Sequence, residues 1–386
     1  MQKHADFHIP SLDGIRGLAA LTVFVSHAAL PHLVPGGFGV TVFFFLSGYL
    51  ITTLLRMEYE RHGRIAFRRF YLRRIYRILP PMYIVLGIGL ALAAAGILPH
   101  QMSLAGVLSQ FAHLTNYFYI YADPRQFVPS TSVMWSLAVE EHFYLLFPLA
   151  ISVLFRHHPG RRIAALLLLA CAAVLAWRCW AVLGLGMGHS YTYYATEARL
   201  DSLLYGCIMG VWLNPMLDRP DIGPRAGAAL TLAGFALLLV SFLYRSETFR
   251  ETLRYTIQGV ALFPLFFCAV RFHEWPIFGW LETRPMRAMG LISYTFYLVH
   301  LPCLTLLELY TQLDKPVRAL AGFAASILVS AAMYFLVERH LGALRRRLHE
   351  QGRHDAARGR DHGASRGHQP AAGAHASNAP AGGRTG

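Results

Sequence analysis

RGLAALTVFVSH, residues 16–27, runs from a permanently charged side chain to an easily titrated one, with only small or apolar residues between them. On an α-helix, eleven steps of about 100° make three turns plus about 20°, so Arg16 and His27 lie on one face, roughly 16 Å apart. That is about half of a ~30 Å hydrocarbon core. An ionisable group at such depth costs about 2.5–3.5 kcal/mol on insertion scales, and such groups normally face the interior of a bundle. The stretch predicts a spanning helix with Arg16 near one membrane surface and His27 deep inside, both turned inward. A snorkelling arginine and a histidine bonded to a neighbouring helix fit the same pattern.

The rest of the chain has the same character. Its 386 residues are 55% hydrophobic and only 15% charged, with a mean hydropathy of +0.40; soluble domains are about a quarter charged. Apolar stretches at about 13–33, 37–55, 79–98, 136–155, 163–183, 201–214, 227–244, 256–272, 288–311 and 317–337 read as spanning helices. The expected fold is all-α: a polytopic membrane helix bundle of about ten transmembrane helices over residues 1–340. Residues 341–386 begin basic and become Gly-, Ala-, Arg- and His-rich without apolar periodicity, which predicts a disordered cytoplasmic tail. The stretch around 103–121, apolar but broken by His113, Thr115 and Asn116, reads as an interfacial helix within a loop.

Charge sets the expected orientation. The loop expected at 56–78 holds eight arginines, that at 156–162 reads RHHPGRR, and the C-terminal segment adds more, whereas the long loop at 99–135 holds only Arg125. The positive-inside rule then places both termini in the cytoplasm; Arg245, Arg250 and Arg254 run against it. The N-terminus lacks the pattern of a cleavable signal peptide, so the first helix is expected to remain. The net charge of +14 points to anionic lipid or an anionic small molecule and away from nucleic acid, since no basic soluble domain is present. The five cysteines all fall in apolar stretches and read as buried hydrophobes. His113, His142 and the pair His157–His158 lack metal-ligand spacing, so no metal is assigned.

Seven blocks, in order, carry a resemblance. SLDGIRGLAALTVFVSH (11–27), GVTVFFFLSGYLIT (39–52), FRRFYLRRIYRILPPMY (67–83), SVMWSLAVEEHFYLLFP (132–148), TEARLDSLLYG (196–206), GLISYTFYLVHLP (290–302) and FLVERH (335–340) together resemble the acyltransferase-3 family of polytopic membrane acyltransferases. His340 stands where many members have proline. The resemblance implies transfer of an acyl group, acetyl above all, from cytoplasmic acyl-CoA to a hydroxyl of a cell-surface or exported saccharide, in a bacterial inner membrane. Many members carry a further extracytoplasmic esterase-like domain. Here either the membrane part suffices or an extracytoplasmic partner protein completes the reaction.

The resemblance also suggests roles. His27 is the candidate general base, taking the proton of the attacking hydroxyl. Arg16 is the candidate for the coenzyme A phosphates, which arginine binds bidentately; an extended pantetheine arm is about as long as the Arg16–His27 separation. Arg68, Arg69, Arg73, Arg74 and Arg77 form a second cationic site. If this stretch is helical, Arg69, Arg73 and Arg77 make a stripe, which would equally serve topology and anionic lipid.

Trp135, Ser136 and Glu140 open the fourth spanning helix. Glu140 is the expected inward carboxylate, orienting His27 or binding acceptor hydroxyls, and Trp135 would stack on a sugar. Arg199 and Asp201 are candidates for the acceptor entrance or for a structural ion pair. In the ninth helix, Tyr297 is the candidate donor to a developing oxyanion and His300 an acceptor-binding residue; Ser293 and Tyr294 lie beside them. The competing class is a transporter of lipid-linked sugar or organic anion, which would show inverted repeats and broken helix pairs. Neither is apparent.

Overall fold

A computed structural model describes residues 9–29 and 34–342; the low-complexity segment lies outside the described residues. Among these residues the chain is helix and connecting loop, with no strand. Pro10 opens α1 (Pro10–Ala28), where its missing N–H costs nothing. α2 (Gly36–His62) and α3 (Phe67–Ala94) follow. Two short helices, α4 (Leu104–Phe111) and α5 (Thr115–Tyr121), occupy the stretch read as interfacial. α6 (Trp135–His157), α7 (Gly160–Leu183), the short α8 (His189–Tyr194) and α9 (Thr196–Val211) lead to α10 (Pro224–Leu243). Then come α11 (Glu247–Glu251), α12 (Arg254–Arg271), α13 (Pro276–Gly279), α14 (Arg284–Tyr310) and α15 (Lys315–Met333), which runs on into a π-turn at Tyr334–Glu338.

All ten expected stretches are helical in the described residues. Among the described residues, seven helices are long and apolar enough to cross a membrane, or eight if α12 and residues 276–282 count as one span bent by 94°. α1 carries Asp13, Arg16 and His27, and α9 is 16 residues long with Glu197, Arg199 and Asp201 among them. Both lie inside the bundle. Every residue from 201 to 211 is buried, so protein rather than lipid surrounds it, and neither length nor apolarity has to match the bilayer. The lipid-facing character falls on α7, α10 and α15, which turn Leu168, Leu169, Leu232, Leu239 and Leu328 outward.

The basic stretch 56–78, expected to be a loop, is instead the ends of two helices. α2 runs to His62 and is closed by Gly63 in the left-handed conformation (φ +66°). α3 restarts at Phe67, about eight turns long. Arginines do not break a helix that leaves the apolar layer, because its backbone bonds stay internal.

Two helix pairs meet at backbone contact. A Cβ on Gly48 of α2 would lie 2.0 Å from the Leu203 carbonyl oxygen of α9, and one on Gly206 of α9 would lie 2.0 Å from that of Phe45. α1 and α14 run parallel in the same way: a Cβ on Gly290 would lie 2.0 Å from the Asp13 carbonyl oxygen. Small residues allow such approach, and dispersion across it replaces the hydrophobic drive that lipid removes. Gly48→Ala is therefore expected to destabilise by about 1–3 kcal/mol through overpacking. Gly87→Ala, exposed with nothing within 4 Å, should leave stability equal or better. Thermal unfolding of the two variants in detergent measures the contrast.

Candidate functional site

The chain alternates direction, so α1, α3 and α14 rise from the end carrying the basic helix termini, and α2, α6 and α9 return to it. Between α1, α2, α3, α6 and α14 lies a cavity of about 90 Å³, room for a few waters. Its polar walls are Arg16, Ser47, Arg74, Arg77, Ser136, Glu140, Tyr144, Ser293, Tyr294 and Tyr297. Three guanidinium groups face one carboxylate there. Arg16 is paired with Asp13 at 3.2 Å. Arg74 lies over the rings of Tyr144 (5.4 Å) and Phe70 (5.6 Å). Such a surplus of positive charge in a low-dielectric cavity favours an anionic guest.

Ser136, Glu140 and Tyr144 are spaced i, i+4, i+8 and form one stripe of α6. Tyr144 donates to Ser47 Oγ (3.1 Å) and Ser47 donates to Glu140 Oε1 (2.7 Å). Glu140, and not its neighbour Glu141, is thus the carboxylate that lines the cavity. Its partner is Ser47 and not His27. Tyr297 closes the upper part: its hydroxyl donates to the Val133 carbonyl (3.0 Å) and shares a 2.8 Å bond with Ser136 Oγ. To serve a developing oxyanion it would have to leave one of these.

His27 does not line the cavity. α1 begins at Pro10, so Arg16 lies about 9 Å and His27 about 25 Å along it, at 1.5 Å per residue. Arg16 lines the cavity, and His27 is an exposed side chain in the last turn, at the far end. His27 Nδ1 meets His300 Nε2 at 2.9 Å, with the rings stacked at 5.1 Å. His300 Nδ1 meets the Tyr297 carbonyl at 2.7 Å. With both nitrogens occupied and 1% exposure, His300 offers an acceptor no free face.

The basic block divides. Arg74 and Arg77 line the cavity, whereas Arg69 and Arg73 turn to Glu58 of α2, at 4.0 and 3.5 Å. Arg68 is exposed. Helicity does place Arg69, Arg73 and Arg77 in a stripe, but Glu58 claims its lower part.

Arg199 and Asp201 are both fully buried and do not pair. Asp201 is held by Arg178, also fully buried, at 3.0 and 3.3 Å, and by Thr256 at 2.9 Å. Arg199 donates to Thr41 Oγ1 (2.9 Å) and the Tyr193 carbonyl (3.3 Å). Its guanidinium sits in an aromatic cage, 4.0 Å from the Tyr255 ring and within 6 Å of Phe44, Tyr193 and Trp135. Trp135, a wall of that cage, is itself 5% exposed. None of the three lines the cavity. At the far end, burial and then Glu197 push the Tyr117 hydroxyl up to about 12, and it donates firmly to that carboxylate at 2.6 Å.

The sequence profile described as an acyltransferase domain, Acyl_transf_3, matches residues 9–335. The chain belongs to the acyltransferase-3 family. Among acyltransferase-3 proteins, it is 30% identical over 338 residues to the O-acetyltransferase OatA of Staphylococcus aureus, a match covering 84% of this chain and 55% of that protein. With the peptidoglycan O-acetyltransferase OatA of Listeria monocytogenes it shares 27% over 351 residues, 86% of this chain and 55% of that one. The chain spans about half the length of these curated relatives. No solved structure matches it.

Reading the sequence alone missed Ser47, Tyr144 and Tyr294 as cavity residues and Arg178 as the partner of Asp201. The i+8 spacing from Ser136 would have found Tyr144. The Arg178–Asp201 pair carries a prediction: Asp201→Ala leaves a buried guanidinium short of its counter-ion and should cost about 3–5 kcal/mol, read as a lowered unfolding temperature of the purified protein.

Proposed function

We propose that this protein is a membrane O-acetyltransferase that passes an acetyl group from acetyl-CoA, taken up at the basic, cytoplasmic end, to a saccharide hydroxyl at the opposite face of a bacterial inner membrane. One feature carries the reading. Three arginines stand in a cavity whose upper wall, Tyr297, leads through His300 to His27 at the other end of the bundle. Anion-binding groups and a proton acceptor are thus joined by one run of contacting residues. The names of the two relatives support acetyl as the group and a glycan as the acceptor. The positive-inside rule supports both termini in the cytoplasm.

In this reading Arg16, Arg74 and Arg77 hold the anionic part of the donor by charge-assisted bonds, and the thioester reaches past Tyr297, which leaves one of its two bonds, toward His27. The acceptor hydroxyl approaches from the far end. His27 takes its proton as the oxygen attacks the thioester carbonyl. The tetrahedral intermediate then collapses, the C–S bond breaks, and the leaving sulfur takes the proton back from His27. Ester and thiol result, and the histidine is regenerated.

Labelled acetyl-CoA and a soluble glycan oligomer, supplied to proteoliposomes, test this. His27→Ala should lower transfer by about 10²–10⁴-fold. Arg74→Ala or Arg77→Ala should raise KM for acetyl-CoA about tenfold or more, the loss of a hydrogen bond to a charged group. Arg69→Ala and Arg73→Ala, engaged by Glu58, should change it little. Solute flux without label transfer would instead identify a carrier.

A further inference from the structure

We propose that His300 is the positioning residue for His27: it fixes which imidazole nitrogen of His27 carries the proton and leaves Nε2 bare to act as base. The proposal rests on the acyltransfer reading above and assigns a role within it.

The argument follows one chain of donors and acceptors. A backbone carbonyl only accepts, so the 2.7 Å contact between the Tyr297 oxygen and His300 Nδ1 places a hydrogen on that nitrogen. A neutral imidazole carries a single N–H, so His300 Nε2 has a lone pair and no proton. That lone pair faces His27 Nδ1 at 2.9 Å. Two lone pairs at this distance repel, so His27 Nδ1 carries its hydrogen and donates. The remaining nitrogen, His27 Nε2, is then an open acceptor, the state that a general base needs.

The surroundings keep the chain in register. His300 is 1% exposed, with the rings of Phe24, Phe296 and Tyr297 at 6.3, 6.4 and 5.8 Å. This apolar collar resists a flip of the ring and a charge on it. When His27 receives a proton at Nε2, the imidazolium retains its Nδ1–H bond to the neutral His300, which stabilises the new charge without taking a second proton. The acceptor that orients a catalytic histidine is often a carboxylate; here it is an imidazole locked by a main-chain carbonyl.

Two substitutions of similar bulk separate this role from packing. In His300→Gln an amide oxygen can accept from His27 Nδ1; in His300→Leu nothing can. With acetyl-CoA and a soluble glycan oligomer, His300→Leu should lose about a hundredfold or more in kcat with KM for acetyl-CoA unchanged, and His300→Gln should recover most of the loss. Independently of turnover, ¹⁵N spectra of histidine-labelled protein in nanodiscs, assigned with His27→Ala, should report the Nδ1–H tautomer for His27 in wild type and in His300→Gln, and a mixture in His300→Leu. A wild-type His27 in the Nε2–H form, equal kcat for the two variants, or a loss confined to KM would overturn the proposal. Wild-type protein with the expected tautomer and no transfer would instead defeat the acyltransfer reading alone.

Discussion

Everything at the centre of this molecule depends on the backbone approach between α1 and α14. The two helices lie parallel with Gly290 against the Asp13 carbonyl and Gly17 against Met286. At that separation a side chain on one helix meets its counterpart on the other at the same height. Arg16 and Ser293 thereby line one cavity, and eleven residues further along α1, His27 meets His300. A residue larger than glycine at 290 would push the two helices apart at the level of Asp13.

The arginines show how burial sorts like charges into different tasks. Taking a guanidinium out of water costs several kcal/mol unless partners replace the solvent. Arg178 receives a carboxylate, a hydroxyl and two carbonyls. Arg199 receives aromatic faces and two neutral oxygens, which suit a delocalised, weakly hydrated cation, while its Nε has no partner. Arg69 and Arg73 share Glu58. Arg74 and Arg77 retain the cavity as their environment, with Glu140 as the carboxylate on its wall. Arg69, Arg73 and Arg178 are thus engaged by protein carboxylates, whereas Arg74 and Arg77 border open volume.

Much of the frame was legible from pattern alone, since ten apolar stretches became ten helices. The common face of Arg16 and His27 follows from the period of the helix. Their surroundings do not, because packing decides what each meets: Arg16 the cavity, His27 the ring of His300. The split of the basic block was also out of reach. Which side of α3 meets Glu58 depends on how α2 and α3 pack, and Arg73 and Arg74 are adjacent in sequence but face different surroundings. Asp201 was read beside Arg199, two residues away, whereas its partner Arg178 lies on α7, the helix packed alongside. The family resemblance supplied His300 as a site residue, and only the geometry gave it a neighbour.

The shared bond of Tyr297 and Ser136 partitions the bundle. On one side of the phenol lie the three arginines, on the other the two imidazoles. Its hydroxyl is spent on Ser136 and a main-chain oxygen, so anything that joins the two sides has to displace a side chain held from two directions. A single phenol thus stands between a cationic chamber and a pair of histidines.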